Sequence, residues 1–171
     1  MRFSTSRHFA PLVLLVGLLP LLGLGSCSST DCPLQNTVSC HYSIYSSATG
    51  SLLSLPDSLT VRAADTTLLN RIHGVSTFSL PMSYVRPADT LYFRFANASA
   101  SRTDTVVISH TNTAHFVSLD CGTSYYHKIT GANVKAASTS GSLCTIDSIV
   151  VVNPDVTYDL SENLRLYLHT N

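Results

Sequence analysis

From Val38 onward the apolar residues of this chain recur at every second position, in short runs separated by turn residues. The clearest run is Thr90 to Phe95, where Leu91, Phe93 and Phe95 alternate with Tyr92 and Arg94. A period of two places one set on one face of an extended strand, ready to be buried, and the other set in water. Val38, Cys40, Tyr42 and Ile44 repeat the pattern against Ser39, His41, Ser43 and Tyr45, as do Leu59, Val61 and Ala63. Near the end, Leu164, Leu166 and Leu168 alternate with Arg165, Tyr167 and His169. No stretch of this region sustains a helical apolar period over three turns. The pattern predicts an all-β fold: an immunoglobulin-like antiparallel β-sandwich of roughly seven to nine short strands, with a closed barrel as runner-up. A transmembrane barrel is excluded, because the strands are too few and their apolar faces suit an interior core.

The strand reading extends to less regular stretches. Thr67 to Arg71 is ambiguous, and Thr77 to Leu80 stops at Pro81. Thr105 to His110 and His115 to Leu119 read as a hairpin turning at Thr111-Asn112-Thr113. Tyr125 to Thr130 ends at Gly131-Ala132-Asn133, with loop to Ser142. The β-branched run Ile146 to Val152 reads as the central strand.

The first residues follow different rules. Arg2 and Arg7 precede an apolar run from Phe9 to Leu24, and small residues follow. Basic, apolar and small segments in that order make a secretory signal peptide. The run is short for a membrane span and is broken by Pro11 and Pro20. Leu24-Gly25-Ser26-Cys27 resembles a bacterial lipobox, which implies cleavage before Cys27 and attachment of diacylglyceryl and further acyl chains such as palmitate to it. Each buried methylene adds about 0.8 kcal/mol, so two or more chains hold a protein stably where one is marginal. The expected organisation is a signal peptide over 1–26, a lipidated tether over 27–34 and one β-sandwich domain over 35–171.

Removing residues 1–26 leaves 145, enough for a single domain with a core. Two of the ten basic side chains leave with that segment, so eight face ten acids and the formal charge is −2. No run of basic residues is present, which excludes nucleic acid as partner. Besides Cys27, the chain holds Cys32, Cys40, Cys121 and Cys144. An even count in an exported chain reads as two disulfides, for which three pairings exist. No C-x-x-C spacing supports a metal reading of these cysteines.

The sequence resembles an uncharacterised family of small Bacteroidetes lipoproteins with a β-sandwich domain. The matching pieces include Asp31-Cys32-Pro33-Leu34, Phe78-Ser79-Leu80-Pro81-Met82 and Asp104-Thr105-Val106. They continue through Ser118-Leu119-Asp120-Cys121-Gly122, Ile146-Asp147-Ser148-Ile149, Val152-Asn153-Pro154 and Asn163-Leu164-Arg165-Leu166. The resemblance implies the sandwich and the anchoring, and it supplies no activity. It further implies that Cys32 pairs with Cys121, leaving Cys40 for Cys144. The calcium-binding labels of some relatives do not transfer, because the spaced aspartates of a calcium loop are absent.

Catalytic patterns are missing: there is no Gly-x-Ser-x-Gly elbow and no His-Glu-x-x-His. Glu162 is the sole glutamate, which leaves little for a paired-carboxylate site. The expectation is a non-enzymatic protein without cofactor. His110, His115 and His127 are weak candidates for a zinc site, lacking any fixed ligand spacing. Eight tyrosines and no tryptophan offer a second reading, in which outward rings stack on a glycan at the cell surface. Asp57-Ser58, Asp65-Thr66, Asp89-Thr90, Asp104-Thr105 and Asp147-Ser148 resemble the acceptor motif of periplasmic O-glycosylation in Bacteroidetes, making Ser58, Thr66, Thr90, Thr105 and Ser148 candidate sites. The same dipeptides also serve as generic strand openers. Expected partners are the membrane, through lipid, and an envelope protein or glycan. The expected location is the cell envelope, as an outer-membrane lipoprotein on its periplasmic face, with surface exposure the alternative.

Overall fold

The computed structural model describes residues 38–118, 121–136 and 143–170, with the side chains of 117 and 118 left aside. All of them belong to one unit, Pro33–Asn171. Ten strands form two sheets, and among the described residues no helix occurs. One sheet contains β1 (Ser39–Ser46), β4 (Thr77–Pro81), β8 (Thr145–Val151) and β10 (Leu164–His169), in the order β4-β1-β10-β8. The other contains β2 (Ser58–Ala63), β3 (Thr66–Ile72), β5 (Ala88–Ala96), β6 (Ser101–Ser118), β7 (Gly122–Lys135) and the two-residue β9 (Asp155–Val156), in the order β3-β2-β5-β6-β7-β9. The protein is an all-β sandwich, as its periodicity predicts. The strand number is ten rather than seven to nine, because Thr66–Ile72 and Asp155–Val156 both pair. The sandwich is also not purely antiparallel: β1 and β10 run parallel, with Tyr42 opposite Leu164 and Ser46 opposite Leu168.

The alternating faces behave as the sequence dictates. Leu91, Phe93 and Phe95 are buried while Tyr92 and Arg94 are exposed. Val38, Cys40, Tyr42 and Ile44 enter the same core, as do Leu164, Leu166 and Leu168. Three rings join the two layers: Tyr42 of β1 stacks on Phe78 of β4 at 5.0 Å between centroids, and Phe93 of β5 meets Tyr42 at 6.3 Å and Phe78 at 6.2 Å. Burial of each such side chain contributes about 2–3 kcal/mol relative to exposure.

Polar atoms also tie the layers. Asp104 of β6 is fully buried; its Oδ1 accepts from Arg102 at 3.1 Å and its Oδ2 from the Ile146 N–H of β8 at 3.0 Å. Asp57 Oδ2 accepts from the Cys144 N–H at 2.9 Å. Without these acceptors the buried backbone donors would lose partners that water cannot replace.

Four local expectations are corrected. The hairpin does not turn at Thr111-Asn112-Thr113: β6 runs unbroken through these residues and pairs with β7 from Thr105–Lys135 to Ser118–Gly122. The loop signal of Thr-Asn-Thr yields to a partner strand, because Asn112 meets His127 there and two backbone carbonyls beside it (below). For the same reason Gly131-Ala132-Asn133 continues β7 to Lys135 instead of ending it. The Ile146 run is an edge strand, not the central one, with Ile146 its sole fully buried residue. Its β-branched composition marks a strand without fixing its place, and Leu-rich β10 takes the interior position.

The expected pairing of Cys40 with Cys144 is not present. Cys40 and Cys144 are both free and buried. Cys40 precedes Tyr42, which pairs with the first residue of β10, whereas Cys144 precedes Thr145, which pairs with the last. The length of β10 therefore separates them by roughly 20 Å, at about 3.3 Å per residue. A disulfide needs Cα atoms within about 7 Å, so the Cys40–Cys144 bridge cannot form. Cys121 is disulfide-bonded, with a pairing that lies outside the described residues. Cys27 and Cys32, and with them the stretches 1–26 and 27–34 read as signal peptide and tether, also lie outside the described residues.

Candidate functional site

The most polar part of the interior sits where β5, β6 and β7 run side by side. Asn112 of β6 lies opposite His127 of β7, and a register shift between Ser109 and His110 turns His110 into the same space. The two imidazoles meet edge to face, 5.4 Å between centroids, and both are buried. Asn112 Oδ1 stands 2.7 Å from Nδ1 of His110 and 2.7 Å from Nδ1 of His127. Its Nδ2 donates to the carbonyls of Ser83 and Arg86, both at 3.1 Å. That second pair of bonds fixes the amide orientation, because a flipped amide would set oxygen against two carbonyls. Both Nδ1 atoms are therefore donors, each sharing the one oxygen.

The consequence for His110 is specific. With Nδ1 donating, its Nε2 lies 3.2 Å from Asp89 Oδ2, which also accepts from the Ser83 N–H at 2.9 Å. The Nε2–Oδ2 contact thus ties the other side of the ring to the carboxylate. His127 differs, because its Nε2 has no hydrogen-bond partner among the described residues. Burial holds its pKa below the ordinary histidine range, and the neighbouring His110 adds to this, against the opposite pull of Asp89. A neutral imidazole donating through Nδ1 keeps a lone pair on Nε2.

His127 also lines a cleft of about 570 Å³. Pro81 and Met82 form one wall, Ser124 and His127 another, and Tyr84 and Tyr125 stack at 5.0 Å with 21° between rings. Tyr84 is 60% exposed, so its ring is a platform in water rather than core filling. Ser124 receives the Tyr158 hydroxyl hydrogen bond.

The three histidines of the zinc reading do not converge. His110 and His127 share Asn112, but His115 stacks on Tyr126 at 4.2 Å, outside that network. Among the described residues no group of three or more histidine, cysteine, aspartate or glutamate side chains is arranged to hold a metal. Of the tyrosines, Tyr42 belongs to the core, and Tyr84 and Tyr92 are exposed. The five Asp-Ser/Thr motifs divide. Thr66, Thr90 and Ser148 are exposed, whereas Thr105 is half-buried and half-buried Ser58 donates to the Ala96 carbonyl at 2.7 Å. Three of the motif aspartates, Asp57, Asp89 and Asp104, are engaged in the bonds described above.

A family model, "Family of unknown function (DUF6452)", matches residues 57–168. The chain belongs to this family. No curated protein matches it, and no solved structure does. The DUF6452 segment spans the strands that build the histidine network, with Asp89, His110, Asn112 and His127 all inside it. β1, which supplies Tyr42 to the core, precedes it. Two features of the DUF6452 domain escape a reading of the sequence. Asn112 reads there as a turn residue, and only its position opposite His127 in the ladder reveals it as the hub. Asp89 reads as a strand opener, although it lies 21 residues from its histidine.

Proposed function

We propose that the protein is an envelope lipoprotein, anchored through acylated Cys27 on the periplasmic face of the outer membrane, whose β-sandwich is a non-enzymatic interaction module. The observation that carries this reading is the order Arg7, apolar run, Leu24-Gly25-Ser26-Cys27. The engagement of the polar interior accords with it: Asp57, Asp89 and Asp104 each give one oxygen to a backbone N–H group, and His110 is closed between Asn112 and Asp89. Such groups hold strands in place. Growth with a clickable palmitate analogue, followed by fractionation, tests the anchor. Label and membrane association are expected for the native chain and lost for Cys27→Ser; retention of both by that variant overturns it.

A second reading is favoured by the stacked Tyr84–Tyr125 pair beside the cleft. Aromatic platforms next to hydrogen-bonding side chains suit the apolar face and hydroxyl rim of a sugar. Here the module captures glycan at the cell surface. Protease treatment of whole cells separates the two: a protected domain supports the periplasmic role, and a cleaved one supports surface capture.

A further inference from the structure

Although the sequence contains no basic run, the fold gathers one. β3, β2 and β5 lie side by side, and register sets Thr60 of β2 opposite Arg94 of β5. Arg71 of β3 reaches the same place, its backbone N–H donating to Thr60 Oγ1 at 3.2 Å. Together with His73, these residues line a concavity of about 510 Å³ at the end of the sheet. Both arginines are exposed, and among the described residues neither guanidinium has an ion-pair or hydrogen-bond partner. Three other arginines contrast with them, while exposed Arg86 bonds through its backbone alone among the described residues. Arg102 pairs with Asp104 and Arg165 with Glu162, while Arg62 donates to the Asp65 carbonyl.

Two details mark the concavity as shaped rather than accidental. Arg71 has φ of +51°, a left-handed conformation that costs a residue with a Cβ, and the Thr60 hydroxyl holds it there. Asn97 fixes the rim by accepting from the Ser99 and Ala100 N–H groups through Oδ1, both at 3.0 Å, which leaves its Nδ2 donors unspent. The lining includes one acid, Asp57, whose Oδ2 is already engaged by the Cys144 N–H.

We propose that this concavity binds a phosphate monoester, gripped by the guanidinium forks of Arg71 and Arg94 with Asn97 and His73 at the rim. Two planar forks match phosphate oxygens better than a single carboxylate. The volume accommodates a sugar phosphate or the head of a phospholipid, and both present the same group. The site is separate from the tyrosine cleft and independent of the anchor.

The full-length chain in neutral detergent, with labelled arginine side chains, tests the proposal by NMR. Titration with glucose 1-phosphate or with phosphatidic acid in the micelle is expected to give saturable shifts of the Arg71 and Arg94 Nε–H signals. A response to the first identifies a soluble ligand; a response to the second alone identifies a lipid headgroup, and either supports the site. Arg71→Gln and Arg94→Gln are each expected to weaken binding by about tenfold, while Arg62→Gln on the same sheet face leaves it unchanged. Arg71→Lys separates grip from fold, since it keeps the charge and loses the fork, and is expected to bind more weakly than the native chain. No saturable shift with either probe overturns the proposal. Equal weakening by Arg62→Gln overturns it too, by reducing the effect to the general field of the sheet face.

Discussion

Asp104 on one sheet accepts a hydrogen bond from the backbone N–H of Ile146 on the other, at 3.0 Å, with both residues fully buried. A sandwich is usually described as apolar surface pressed between layers, and here a charged side chain spans them. The same carboxylate pairs with Arg102, whose side chain is only 7% exposed.

Removing that carboxylate should therefore be costly. Asp104→Ala removes the acceptor of the Ile146 N–H and the acid paired with Arg102 together, and an expected loss is about 3–5 kcal/mol. Urea unfolding of the variant beside the native chain measures it. A loss below about 1 kcal/mol would mean that water or a neighbouring group replaces the acid.

The histidine network gives stability a pH dependence of defined sign. His127 has a native pKa below its unfolded value of 6.5, because burial disfavours the cation. As pH falls through that value the unfolded chain takes up a proton that the native state resists, so stability drops and then levels below the native pKa. Unfolding free energies at about pH 7.5 and about pH 5 should differ more for the native chain than for His127→Gln. Equal differences would remove His127 as the cause; Asp89 and His110 are the charged neighbours that remain in the variant.

Cys40 and Cys144 should behave as buried hydrophobes. Burial pushes each thiol up to about 12, and for Cys144 the Asp57 carboxylate adds to the effect. Since the thiolate is the nucleophile, at pH 8 only about one thiol in ten thousand is reactive. Iodoacetamide is expected to spare both in the folded chain and to modify both in guanidinium, read by peptide mass spectrometry. Recovery of a Cys40–Cys144 cross-linked peptide from unreduced protein would contradict the strand arrangement itself.

The β2–β3 hairpin invites a gain. Ala63 pairs with Thr66, so Ala64-Asp65 is a two-residue loop, and Ala64 has φ of +48°. Two-residue hairpin loops favour glycine where φ is positive. Ala64→Gly should raise stability by about 0.5–1 kcal/mol, seen as a higher melting temperature. An unchanged or lower value would show that the added freedom of the unfolded chain outweighs the relieved strain.

Periodicity made the in-and-out faces of β1, β5 and β10 readable, because alternate burial is a local property. Strand order is not local, which is why an Ile- and Val-rich segment read as central lies at an edge. Turn signals failed at Asn112 for a related reason. An asparagine leaves a ladder when its side chain lacks partners, and here two histidines and two carbonyls supply four. The histidines of the network stood out by type, yet the sequence joined them to His115, which the fold turns toward Tyr126. Arg71 and Arg94 drew no notice, since 22 intervening residues hide a proximity that only the adjacency of β3, β2 and β5 creates.

The parallel pairing of β1 with β10 joins the first strand of the domain to the last. When such a chain is drawn out from its two ends, these strands slide along each other instead of peeling apart. Rupture must then defeat the whole ladder from Tyr42–Leu164 to Ser46–Leu168 in one event. Tension at either end would meet a shear clamp, a mechanical toughness that the same number of bonds arranged as a zipper would lack.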